Sequence, residues 1–130
     1  MINPANLIKY IDPNKKIYIA YSGGADSSAL LYLFSELRHS HSIEVEAIHV
    51  DHNLSPDNNI WESHCKKACS ELNIILHTKA VHIDVDGDGL ESAARKARYK
   101  VFSDILKEGE QLLLGHHAND VTETILIRMF

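Results

Sequence analysis

The chain has 130 residues, 45% of them hydrophobic and 24% charged, with a formal charge of −5 at pH 7. Those values suit one globular domain with a core of its own. They argue against a broad nucleic-acid clamp, and no apolar run approaches the ~20 residues that cross a bilayer.

The opening MINPANLIKYI is too short and too polar for the apolar part of a secretory leader, so a cytoplasmic setting is expected. Asn3 to Asp12 reads as a short helix or turn with Leu7, Ile8 and Ile11 on its apolar side. Asp12-Pro13-Asn14 punctuates the chain, and Ile17-Tyr18-Ile19-Ala20 is a β-forming run of the kind buried on both faces. Ser22-Gly23-Gly24 breaks that run. From Ser27 to Leu37, the residues Leu30, Leu33, Phe34 and Leu37 recur at helical spacing.

This junction has specific physics. Adjacent glycines let the backbone turn sharply and approach a ligand. The first amides of the new helix lack intrahelical acceptors and can receive an anion. With the hydroxyls of Ser22, Ser27 and Ser28 nearby, phosphate is the expected guest. No lysine follows the glycines, so this is not a Walker A loop. Asp26 stands in its place, which suits a magnesium ion or a contact to a group other than phosphate. The plainer alternative is a tight turn with an aspartate near the helix start.

Arg38 to Ser42 ends the helix. Glu44 to Val50 is a second strand with Val45, Ala47 and Ile48 toward the core, and a loop follows from Asp51 to Asn58. Ile60 to Leu72 reads as a helix with Ile60, Trp61, Cys65, Ala68 and Leu72 inward. Cys65 and Cys69 share one face beside His64. Without a second cysteine pair a zinc site lacks ligands, so half-buried free thiols in a reducing compartment are expected.

Ile74 to Lys79 is a third strand, with Val81 to Val85 as its continuation. Asp84 to Gly89 looks like a calcium loop, but its twelfth position is the cation Arg95 where a glutamate is needed. It is read instead as an acidic, glycine-rich loop. Asp88 as N-cap and Glu91 three residues on form a capping box. Leu90, Ala94, Ala97, Val101 and Ile105 make the apolar stripe of the next helix. Arg95 and Arg98 project together from another side, and Gly109 ends the helix. Gln111 to Leu114 is a fourth strand, Gly115 to Asn119 a loop, and Asp120 to Phe130 a last helix carrying Val121, Ile125, Leu126 and Met129. The chain stops inside that helix, which reads as truncation.

Alternating strands and helices predict an α/β fold: a parallel sheet of about four to five strands with helices on both faces, a Rossmann-type three-layer arrangement. In such sheets ligands collect beyond the carboxyl ends of the strands. Ser22–Ser27, His49–His52 and His116–Asp120 are all predicted to reach that rim.

The string Ser22-Gly23-Gly24-Ala25-Asp26-Ser27, directly after a strand, resembles the signature of the PP-loop ATP pyrophosphatases. Taken in order with HVDHNL (His49–Leu54), ESAARKARY (Glu91–Tyr99) and GHHANDVTETILIR (Gly115–Arg128), it makes nearly the whole chain similar to the N-terminal domain of the tRNA(Ile)-lysidine synthetases. The resemblance implies a ligase that adenylates the C2 oxygen of the wobble cytidine, releases pyrophosphate, and lets the ε-amine of lysine displace AMP. It implies ATP and Mg2+ as cofactors, and tRNA(Ile) with a wobble cytidine and free L-lysine as partners. No membrane is involved, and a homodimer is admitted.

Residue by residue, the resemblance implies that Ser22, Gly23, Gly24, Ala25, Asp26 and Ser27 grip the phosphates. His49, Asp51 and His52 lie by the adenine or ribose. Arg95, with Arg98 as the weaker candidate, steadies the α-phosphate or the leaving AMP. Asp26 and Asp120 hold metal, Asp120 also draws in the lysine amine, and His116 or His117 takes its proton. Structural alternatives stand beside each role. Arg95 could be a solvated or salt-bridged residue, the histidines caps, and Asp120 and Glu123 charges favoured by a helix dipole. His49, Asp51 and His52 could instead form a metal triad.

Three departures bear on the metal shell and not on the class. Asn53 stands where the family often has glycine, an arginine soon after Leu54 is missing, and Asn119 stands where many members have a second aspartate. Residues 1–130 would be the catalytic domain without the family's C-terminal tRNA-binding domains, able to bind ATP but modifying tRNA poorly or not at all. Two rivals remain. A PP-loop tRNA thiolase commonly uses C-x-x-C pairs, and Cys65-x-x-x-Cys69 has the wrong spacing. In a non-catalytic ATP-binding module, Asp26, Arg95 and Asp120 would be idle.

Overall fold

A computed structural model describes residues 8–22, 25–52, 57–84, 87, 89–117 and 123–130. A 3-10 turn at Ile8–Tyr10 precedes β1 (Ile17–Ala20), α1 (Ala25–His41), β2 (Val45–Asp51), α2 (Asn58–Glu71), β3 (Leu76–Ala80), α3 (Leu90–Ile105), β4 (Gln111–His117) and β5 (Glu123–Met129). The sheet runs β3-β2-β1-β4-β5. Its first four strands are parallel, and β5 lies antiparallel along β4.

Side chains alternate across a strand, so each central strand feeds two cores. Ile17, Ile19, Val45, Ala47 and Leu113 face α1 and α2, meeting Leu30, Leu31, Phe34, Leu37, Cys65 and Cys69. Tyr18, Ile48 and Leu112 face α3, meeting Val101 and Phe102. Each such aliphatic or aromatic burial stabilises by about 1.5–3 kcal/mol, which is why strands covered on both faces carry no polar alternation. Arg38 ties α1 to α2 by donating to the carbonyls of Leu72 and Asn73. No described helix is long and apolar enough to cross a membrane.

The predicted three-layer fold is the one observed, with local differences. The last segment is strand β5, not a helix over Asp120–Phe130. Ile125, Ile127 and Met129 also recur every second residue, and a short apolar run fits either period. The outer edge of β4 supplies unpaired backbone groups that a strand can satisfy. For the same reason β4 continues through Gly115, His116 and His117, which had been assigned to a loop. Ala118 to Thr122 lie outside the described residues.

α3 starts after Gly89, whose φ of +89° suits glycine, and no side chain among the described residues caps it. The proposed N-cap Asp88 lies outside the described residues. Ile60, Trp61 and Leu90 were placed on apolar stripes but are 71%, 46% and 47% exposed. All three sit in the first turn of their helices. Cys65 and Cys69, a turn or two further on, are fully buried and not half-buried.

Candidate active site

Going from β1 to β2 to β3 the chain steps one way across the sheet, and it then crosses to the other side of β1 to lay down β4. A crevice is expected at that reversal, beyond the carboxyl ends. A cleft of about 370 Å³ is found there, within the usual range for a small-molecule site. It is lined by Ala20 of β1 with Tyr21 and Ser22 just after it, Ile48 to Asp51 of β2 with His52 just after it, and Leu114 of β4, together with Ser27, Trp61, Arg98 and Phe102 from the helices.

The end of β1 is fixed group by group. The Tyr21 amide donates to the Ile48 carbonyl at 2.8 Å. His49 Nδ1 lies 2.9 Å from the Tyr21 carbonyl. A carbonyl only accepts, so Nδ1 carries the proton, and in the neutral ring Nε2 is an acceptor. The Ser22 amide donates to Ser27 Oγ at 3.1 Å, and the two serine hydroxyls are 3.0 Å apart. Trp61 Nε1 donates to the Ser22 carbonyl at 2.6 Å. Behind this rim, Cys65 Sγ is 3.8 Å from His49 Nδ1.

His52 lines the cleft, and its Nδ1 is buried without a hydrogen-bond partner among the described residues. Burial first, then the Arg98 cation, push its pKa below the ordinary 6.5, so the ring is neutral at pH 7. Such an orphaned nitrogen costs about 1–3 kcal/mol unless a ligand or water satisfies it. Burial pushes the thiols of Cys65 and Cys69 up to about 11. Both therefore stay protonated at neutral pH and are poor nucleophiles.

A family model for the PP-loop domain matches residues 2–130. The chain belongs to the PP-loop domain family. This PP-loop domain is 39% identical over 133 residues to the tRNA(Ile)-lysidine synthase of Coxiella burnetii, a match that covers 99% of the chain and 30% of that enzyme. It is 40% identical over 118 residues to the enzyme of the same name from Vibrio cholerae, covering 90% of the chain and 27% of that enzyme. The chain thus spans under a third of the length of these relatives. Among solved structures, the U34-tRNA thiolase NcsA from Methanococcus maripaludis shares the fold, with a TM-score of 0.63 at 21% identity over 84% of the chain and 41% of the thiolase.

Within the PP-loop domain, the structure brings Ser22, Ser27, His49 and Asp51 to one cleft, as the sequence suggested. Ala25 and Asp26 open α1 at the same rim, and His116 lies in β4. Gly23, Gly24 and Asp120 lie outside the described residues. His49, Asp51 and His52 do not form a metal-holding group; none of three or more ligands occurs among the described residues. Of the two arginines, Arg98 lines the cleft, while Arg95 packs over the Tyr99 ring at 5.6 Å. Sequence reasoning missed Trp61, which it assigned to the core. The available signal was its N–H, which seeks a partner wherever the ring packs.

Proposed function

We propose that this chain carries the adenylating centre of a tRNA(Ile)-lysidine synthase, acting in the cytoplasm. The observation that carries the reading is its 39% identity over 99% of its length to an enzyme of that name. The cleft at the carboxyl ends of β1, β2 and β4 has the size and donors for a nucleotide.

In this reading Ser22, Gly23, Gly24, Ala25, Asp26 and Ser27, with the first amides of α1, receive the phosphates of ATP. His49, through its Nε2 acceptor, and Asp51 take the adenine or ribose. Arg98, with Arg95 a turn further out, meets charge on the α-phosphate. The C2 oxygen of the wobble cytidine of tRNA(Ile) attacks the α-phosphorus, the bond to the β-phosphate breaks, and pyrophosphate leaves. The lysine ε-amine then attacks C2, expels AMP, and gives up a proton to Asp120, His116 or His117. Free lysine has a side-chain pKa of about 10.4, so desolvation must favour the neutral amine before attack. Magnesium takes one or two carboxylates together with phosphate oxygens; Asp51 brings a carboxylate to the cleft, Asp26 and Asp120 are the residues proposed to hold the ion, and when bound it neutralises phosphate charge.

The test is pyrophosphate release by the chain with ATP, magnesium, lysine and tRNA(Ile) bearing the wobble cytidine, omitting one component at a time. Release should depend on the tRNA, and nucleoside mass spectrometry should find lysidine only when lysine is present. Because the chain spans so little of its relatives, turnover should be low. Release indifferent to tRNA would remove the lysidine assignment and leave the nucleotide site.

A further inference from the structure

Among the described residues, Trp61 is the one large exposed apolar side chain that lines the cleft, and 46% of it is accessible. Its ring is nevertheless fixed. The indole N–H donates to the Ser22 carbonyl at 2.6 Å. His64, one turn further along α2, stacks against the ring with centroids 5.5 Å apart and planes at 22°. His64 is itself exposed and lies off the cleft, so it backs the ring from the solvent side.

The N–H is the only polar group of an indole, and it can only donate. With that group engaged by Ser22, the ring offers a ligand its flat π face and nothing else. Such a face suits a flat partner, and a stacked base gains more from it than area burial alone provides. An ammonium group could also sit over an indole, but Arg98 lines the same cleft and repels a second cation. Position then narrows the base. His49 Nδ1 holds the Tyr21 carbonyl at 2.9 Å, and Trp61 holds the next carbonyl along the chain, where successive α-carbons are about 3.8 Å apart. The ring is therefore anchored one residue from the histidine that takes the adenine or ribose in the reading above.

We propose that Trp61 is the base-stacking residue of the cleft: the face of its ring turned away from His64 receives the adenine of ATP. The inference rests on the nucleotide reading of the cleft and adds to it the residue that holds the base. A ring fixed before the ligand arrives spares binding an ordering cost. Stacking by itself tolerates any base, so the choice of adenine falls to the polar groups beside it.

The chain has one tryptophan, so its indole fluorescence reports Trp61 alone. Titration of the wild-type chain should show quenching by ATP and little change with inorganic pyrophosphate or free lysine. Pyrophosphate or lysine quenching as strongly as ATP would overturn the proposal. Quenching by a tRNA(Ile) anticodon stem-loop but not by ATP would seat a base of the RNA there and overturn it too. Trp61→Phe and Trp61→Leu both lose the N–H to Ser22, and only the phenylalanine keeps a flat aromatic face. By calorimetry, the leucine variant should bind ATP at least about fivefold more weakly than the phenylalanine variant, and the two should bind pyrophosphate within about twofold of each other. Equal ATP affinities in the two variants would overturn the stacking role alone. A wild-type chain that binds no ATP would overturn the nucleotide site and the proposal together. Should either variant not fold, the wild-type quenching decides.

Discussion

Truncating Phe102 to alanine should undo the docking of α3, the helix on that face of the sheet that brings Arg98 to the cleft. Phe102 is 1% exposed and packs with Tyr18, Ile48 and Leu112 of the sheet. It also meets the Tyr99 ring edge-on at 5.7 Å. Loss of a buried phenyl group plus the cavity it leaves costs about 3–5 kcal/mol. The edge-on aromatic contact, about 0.5–1.5 kcal/mol by itself, puts the expectation in the upper part of that range. A domain of this size has roughly 5–15 kcal/mol in all, so the variant should be visibly marginal. Urea unfolding followed by circular dichroism measures it, provided the slope m is unchanged. Leu90→Ala on the same helix is the comparison: at 47% exposure it should cost no more than about 0.5 kcal/mol. A Phe102→Ala loss under about 1 kcal/mol, or a Leu90→Ala loss that equals it, would refute the packing argument.

Three further outcomes are expected. Burial opposes the charge on Glu46, but hydrogen bonds from His77 at 2.5 Å and Lys16 at 2.7 Å outweigh it and hold the carboxyl below its ordinary 4.5. Its contribution is therefore complete above the unfolded value and lost as pH falls through the depressed folded one. Wild-type unfolding free energy should accordingly fall below about pH 4.5 more steeply than that of Glu46→Gln, and parallel curves would contradict this. Cys65 and Cys69, buried and raised to about 11, should ignore a disulfide reagent at pH 8 in the native chain and both react in urea. Rapid labelling of either thiol in the folded state would disprove that burial. Arg98→Ala should weaken ATP binding by at least about tenfold. Arg95→Ala should cost ATP affinity less than about threefold and lower stability by about 0.5–1 kcal/mol through the lost Tyr99 contact. The reverse order of ATP affinities would return Arg95 to the cleft.

Much of this molecule is written locally. Ile17 to Ala20 and Gln111 to Leu114 are short, apolar and bounded by turn residues, so their buried-strand character follows from composition and length alone. The intervening helices show their period. Parallel crossovers then send Ser22, His49 and Asp51 to a shared rim whatever the details, because every strand in such a sheet ends on the same side. The serine–glycine string after a strand is a local feature too, and its Ser22 and Ser27 line the cleft.

Other features depend on what stands next to a residue in space. Residues 123–129 carry letters that suit two periods, and the open edge of β4 selected the strand. Gln111 is the polar first residue of a strand otherwise apolar. In the fold it is fully buried, exchanging hydrogen bonds with the main chain of Asp12 at 2.7 and 2.9 Å. Arg95 and Arg98 are equivalent by spacing, yet Arg98, one turn of about 6 Å from the anchored Phe102, lines the cleft, while Arg95 lies over the Tyr99 ring. Trp61 falls on an apolar stripe, yet its ring lines the cleft and its N–H finds the Ser22 carbonyl. Periodicity tells a helix which side is apolar; where the sheet stops, and therefore which residues on that side meet a ligand instead of a core, is set only when the layers are stacked.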